Sequence, residues 1–154
     1  MALAVCSFAT SAAADSPQAA TVTAHGAVVA ADGSKVGQIT FHKRGDGTKP
    51  PAELGNPSEW GVAAITVDDS AGNVSPMSEA CVPASGGKWC YGDYLNTSGK
   101  YCYSNYYHHD KVHKSSVKIA GVTVDSGWVA ANDYSNAHRT AGAAYTCYTY
   151  YSIK

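Results

Sequence analysis

The chain has 154 residues, with 11 Lys/Arg against 12 Asp/Glu, a formal net charge of −1 and 15% charged residues. That length fits one ordinary domain, or a small domain with an appendage. No apolar run reaches the ~18 to 20 residues that a helix needs to cross a bilayer, which excludes a helical membrane span. The near-balanced charge of a chain read as exported also argues against nucleic acid as a partner.

In chain order, residues 1–14, MALAVCSFATSAAA, are apolar and small and end in Ala12-Ala13-Ala14 before Asp15. This reads as a signal peptide, and the chain as secreted and extracellular. The usual opening Lys or Arg is missing, so the expectation is a translation start upstream of Met1. A lipoprotein reading of Leu3-Ala4-Val5-Cys6 is weaker, because Val5 is bulky where a small residue is expected.

With Cys6 in the leader, Cys81, Cys90, Cys102 and Cys147 remain, an even number that implies two disulfides in an exported chain. Three connectivities are possible. The reading leans to Cys81 with Cys90 and Cys102 with Cys147, since the last two lie in tyrosine-rich candidate strands. Zinc is the rival, but the spacings hold no C-x-x-C pair.

Residues 15–80 hold four Lys/Arg against eight Asp/Glu, and 81–154 hold seven against four. All 11 tyrosines lie at or beyond Tyr91. The polar run DDSAGNVSPMSEA, 68–80, reads as a linker. This divides the chain into an N-terminal extension at 15–80, β-rich or partly disordered and open as a propeptide, spacer or accessory sheet, and a working domain at 81–154.

In the extension, "TVTAHGAVVA" and "KVGQITFH" predict a hairpin around Ala31-Asp32-Gly33-Ser34, and "WGVAAITV" a third strand. "KRGDGTKPPAELGNP" is turn-rich. In the second part "KWCYGDY" and "KYCYSNYY" flank a turn at Asn96-Thr97-Ser98-Gly99, "HKSSVKI" and "VTVDSGWV" flank Ala120-Gly121, and "AAYTCYTYYSI" closes the chain. Residues 128–144, bounded by Gly127 and Gly142, are the one stretch of this part with room for a helical turn. The fold class is all-β: a small antiparallel β-sandwich or open barrel, disulfide-braced.

Alternation puts Tyr101, Tyr103 and Tyr107 on one face of their strand, and Cys102, Ser104, Tyr106 and His108 on the other. If Cys102 bridges, its face is the inner one.

Three chemistries compete for the stretch "YCYSNYYHHDKVHKSS", 101–116. His109 and His113, four apart, with His108 or Asp110, permit a metal but do not diagnose one. "VDSGWV" puts Asp125 and Ser126 before Gly127 without a G-x-S-x-G motif, so a turn is favoured over a nucleophile. Paired carboxylates for glycoside cleavage have little support, since residues 81–154 hold no Glu and Asp93, Asp110, Asp125 and Asp133 fall at expected turns. Binding is favoured. Tyrosine offers a rigid ring and a hydroxyl at small entropic cost, and Lys100, Lys111, Lys114 and Lys118 add positive charge that would attract phosphate, pyrophosphate or an anionic wall polymer. The alternative use of the tyrosines is as a core for a domain poor in Leu, Ile and Phe. The expected binding residues are Tyr103, Tyr106, Tyr107, His108, His109, Lys111 and His113. No cofactor is expected, and self-association stays open.

"WCYG" at 89–92, "YSNYYHHDKVHKSSV" at 103–117, Trp128 and the tyrosine-rich end resemble the lactococcin 972 family of secreted bacteriocins. The family's pattern falls on Trp89, Gly92, Tyr103, Ser104, Tyr106 or Tyr107, His108 and His109. It continues through Lys111, His113, Val117, Trp128, Tyr150 and Tyr151, and covers roughly residues 87–154. The resemblance adds Trp89 to the expected binding residues. It implies a small β-sandwich that binds the cell-wall precursor lipid II and blocks septum formation in other bacteria, without turnover or pores. A wall- or glycan-binding module without killing activity and a small secreted hydrolase are the alternatives.

Overall fold

The computed structural model describes residues 21–22, 27–29, 35–65 and 78–154. The expected leader, the Cys6 lipid site, the turn at 31–34 and residues 68–77 of the linker lie outside them. The strands in chain order are β1 (Thr21–Val22), β2 (Ala27–Val29), β3 (Lys35–Lys43), β4 (Glu59–Ile65), β5 (Ser78–Ala84) and β6 (Gly87–Asn96). They continue with β7 (Gly99–His108), β8 (His113–Ile119), β9 (Val122–Asp125), β10 (Asp133–Ala141) and β11 (Cys147–Ile153). One 3-10 turn, Ala52–Leu54, interrupts them, and there is no α-helix among the described residues.

Two antiparallel sheets result. One has seven strands in the order β1-β2-β3-β4-β11-β8-β9, the other four in the order β10-β7-β6-β5. Their facing sides close one core around Trp89, Tyr91, Tyr106 and Tyr151, with Ile39, Ala63, Ile65, Val117, Ile119 and Ile153. A smaller cluster of Leu54, Trp60 and Tyr150 lies apart from this core. The expected all-β, disulfide-braced sandwich is therefore the fold.

Strands flanked by clear turns follow the sequence closely. β8 and β9 meet at Ala120 (φ 53°) and Gly121 (φ 74°), the two positive angles that a two-residue hairpin turn matching strand twist requires. Close packing explains one glycine as well. Gly61 lies opposite Tyr151 in the β4–β11 register, and a Cβ there would overlap the Tyr151 ring.

Two expectations are corrected. Residues 133–141 form strand β10 instead of part of a helical turn. Its inward residues are Ser135 and Ala137, small enough for the Ser135 hydroxyl to reach the Tyr106 carbonyl (3.1 Å) and Ser115 Oγ (2.8 Å), and too polar to give an apolar alternation. Ser78–Ala80, read as linker, begin β5, an edge strand on which Pro83 is tolerated. β3 and β4 share a sheet with β11 and β8, and Ile39, Ala63 and Ile65 belong to the common core. Strand pairing is long-range, and composition cannot reveal it.

The disulfides are Cys81–Cys90 and Cys102–Cys147, the pairing favoured from sequence. Cys81 and Cys90 are register partners on neighbouring strands. Cys102, in the four-stranded sheet, reaches Cys147 in the seven-stranded one, so this bond ties the two layers together.

Candidate functional site

Strand β7 carries the tyrosine-rich stretch, and its two faces do different work. Cys102, Ser104, Tyr106 and His108 are buried, as the inner-face argument requires. Tyr106 stacks on Tyr151 with centroids 4.5 Å apart and donates its hydroxyl to the Ala84 carbonyl (2.8 Å). The Trp89 indole N–H donates to Ser104 Oγ (2.9 Å), which donates to the Tyr150 carbonyl (2.8 Å). These bonds satisfy polar atoms that would otherwise be costly to bury.

His108 Nδ1 accepts from the backbone N–H groups of Asp110 and Lys111 (3.0 and 3.1 Å), so its proton sits on Nε2 and points to the Ser85 carbonyl (3.0 Å). His113 is fully buried, with Nδ1 on the Lys111 carbonyl (2.8 Å) and its ring edge-on to Tyr106. On the opposite face Tyr103 is also buried, its hydroxyl donating to Glu79.

The eight expected binding residues thus do not share one surface. Trp89, Tyr103, Tyr106, His108 and His113 are buried; Tyr107 is half-buried, while His109 and Lys111 are exposed. Ring and imidazole side chains serve core and surface equally well, so residue type alone could not divide them.

The accessible members gather at the β7–β8 turn. Tyr107 donates its hydroxyl to Asn132 Oδ1 (2.6 Å), and His109 Nδ1 lies 3.3 Å from the same oxygen. Val129 bridges to His113 beside them, and the backbone N–H of Lys154 donates to the Val112 carbonyl (3.1 Å). Trp128, 40% exposed, has the Lys114 ammonium 5.2 Å and the Lys154 ammonium 5.6 Å from its ring centroid. Lys154 was not anticipated; nothing in its local sequence signals that it lies beside a tryptophan 26 positions earlier in the chain.

The lysines expected to act together are each paired with a carboxylate. Lys111 pairs with Glu59 (3.1 Å), Lys118 with Glu53 (3.1 Å) and Lys114 with Asp125 (3.9 Å). Lys100 is buried beside Asp93 (3.8 Å) and donates to the Tyr145 carbonyl (2.6 Å). Burial pushes the Asp93 carboxyl up to about 6, against the opposing pull of Lys100.

Next to Lys111, which pairs with Glu59, lies a shallow cleft of about 280 Å3 lined by Phe41, His42, Lys43, Asp46, Glu59 and Ser85. Hydrogen bonds from Ser85 and Lys111 hold the Glu59 carboxyl below the usual range, the first being the larger effect. The Tyr151 hydroxyl lies 2.9 Å from Ser85 Oγ, and burial pushes it up to about 12.

Ser126 Oγ is held locally, accepting from the Ser115 N–H (3.1 Å) and donating to the Gly127 carbonyl (2.7 Å). It sits in a turn. Among the described residues no three His, Cys, Asp or Glu side chains are grouped to hold a metal ion, and no helix is long and apolar enough to cross a membrane.

Comparison with protein families adds to this geometry. Residues 85–151 match the family model described as Bacteriocin (Lactococcin_972). The match takes in β6 through most of β11, and with them Trp89, the β7–β8 turn and Trp128. It supports a bacteriocin in general terms. Searches of curated proteins and of solved structures found no match.

Proposed function

We propose that this protein is a secreted bacteriocin that binds a bacterial cell-wall precursor of the lipid II type, or an anionic wall polymer, and so blocks wall or septum synthesis without turnover. The observation that carries the reading is the gathering of Tyr107, His109, Lys111 and the Trp128–Lys114–Lys154 group at one end of a sandwich matched by a bacteriocin family model. Cationic donors there suit phosphate oxygens, and the exposed rings suit the apolar faces of sugars. Trp89, Tyr106 and His113 build the frame under that surface.

The test uses the full chain. Growth inhibition of Gram-positive strains and co-sedimentation with vesicles containing lipid II, against vesicles without it, are both expected. His109→Ala combined with Lys111→Ala is expected to weaken both at least tenfold with the thermal midpoint kept. A wild-type protein that neither inhibits growth nor sediments with lipid II vesicles or cell walls overturns the proposal; wall binding without inhibition would instead indicate an adhesion module.

A further inference from the structure

The outer face of the four-stranded sheet carries a pattern that the bacteriocin reading touches only at Tyr107. Cys81, Cys90, Asn105 and Asn136 are successive register partners, so they form one row across all four strands. These side chains are short, and the two cysteines are joined to each other. Two residues along, on one side of the row, Tyr107 packs on Tyr134 with centroids 4.9 Å apart. On the other side Tyr103 is partnered by His138, and beyond it Tyr94, Tyr101 and His138 stack with centroid spacings of 4.8 and 5.2 Å.

On β7 and β10 rings therefore flank the row on both sides, while on β6 and β5 its neighbours are Lys88 and Pro83 on one side and Gly92 and Glu79 on the other. Tyr103 and Tyr107 are four residues apart, which separates the flanking rows by ~13 Å at the backbone, and four strands make the row ~14 Å long. The face is also nearly uncharged. Of the outward positions on β6, β7 and β10, only Lys88 bears a formal charge, and the Glu79 carboxylate on β5 accepts from Tyr103. Asn136 and His138 are exposed, and Tyr134 is 61% exposed.

We propose that this row is the floor of a trough for a neutral glycan strand running across the sheet. Side-chain amides both donate and accept, which matches sugar hydroxyl and acetamido groups. Aromatic rings present a negative face to the weakly positive C–H groups of a pyranose. An anionic ligand finds little to hold it here, and an apolar one would leave the amides without partners. The site meets the cationic end described above at Tyr107, and it does not depend on lipid II being the target.

The experiment titrates the full chain with a neutral β-1,4-linked N-acetylglucosamine tetramer, followed calorimetrically, with inorganic pyrophosphate as the charged comparison. Saturable tetramer binding is expected. Tyr134→Ala and His138→Ala should each weaken it at least tenfold, and Asn136→Asp should weaken it too, with thermal midpoints near that of the parent. His109→Ala with Lys111→Ala should leave it unchanged. Absence of saturable tetramer binding, or binding indifferent to both ring variants, overturns the trough. So does attachment only to walls that still carry protein, which assigns the face to a protein partner. Growth inhibition without tetramer binding overturns the trough and leaves the bacteriocin standing; tetramer binding without growth inhibition or lipid II association does the reverse.

Discussion

Tyr106 and Tyr151 stack across the two sheets, their ring planes 21° apart and their centroids 4.5 Å apart. Each comes from a different layer, and both are fully buried. Tyr106→Ala should cost about 3–5 kcal/mol, the range for removing a large buried ring. Tyr106→Phe should cost about 1 kcal/mol, for the bond to the Ala84 carbonyl. Tyr107→Ala, on the opposite face, should cost clearly less than Tyr106→Ala. Denaturant unfolding of the three variants checks the order, and equal losses at positions 106 and 107 would contradict the assignment of faces.

The two disulfides should differ in both energy and access. Cys102–Cys147 closes a sequence separation of 45 residues and Cys81–Cys90 one of 9. Loop-closure entropy then gives about 4 and about 2.6 kcal/mol respectively. Cys102 and Cys147 are fully buried whereas Cys81 is exposed, so mild reductant should open the 81–90 bond first. Alkylation of thiols with time, followed by peptide mass analysis, reads the order directly.

Asp93 makes stability fall with rising pH over a defined window. Its folded-state value of about 6 lies above the ordinary carboxyl value of 3.8. Between those two pH values the folded protein holds a proton that the unfolded chain has released, so its contribution is complete below about 3.8 and declines as pH rises through about 6. Asp93→Asn should flatten this part of the profile. Thermal midpoints of parent and variant from pH 3.5 to 7 supply the check, and parallel curves would count against it.

Ala120 occupies a left-handed conformation, φ 53°, in the β8–β9 turn. Such angles cost a Cβ-bearing residue about 1–2 kcal/mol, and asparagine tolerates them best among non-glycine residues. Ala120→Asn, which creates the favoured Asn-Gly turn, should raise stability by about 1 kcal/mol. An unchanged or lower thermal midpoint would refute this.

Much of the working half was legible. Strands β6 to β9 and β11 are rich in β-branched and aromatic residues and bounded by turn residues, and the disulfide at Cys102 told which face of β7 turns inward. Two strands were not. In β10 the inward side chains Ser135 and Ala137 carry almost no hydrophobic signal, because close approach to Ser115 and Tyr106 selects for small size. In β5, Pro83 reads as a breaker although the edge position excuses it. The site was half legible for a different reason. Alternation from Cys102 divides Tyr106 from Tyr107, but Tyr103 shares the outward face with Tyr107 and is buried all the same, its hydroxyl on Glu79 of the edge strand β5.

Strand β11 lies between β4 and β8 in the middle of the seven-stranded sheet. A chain emerging from the ribosome therefore cannot close that sheet until residues 147–153 have been synthesised, so its central ladder must assemble late and over long sequence distances. Until then Trp60, Tyr106 and Trp89 have no settled core. Delayed closure of this kind places the formation of the Cys102–Cys147 bond after β11 has been made.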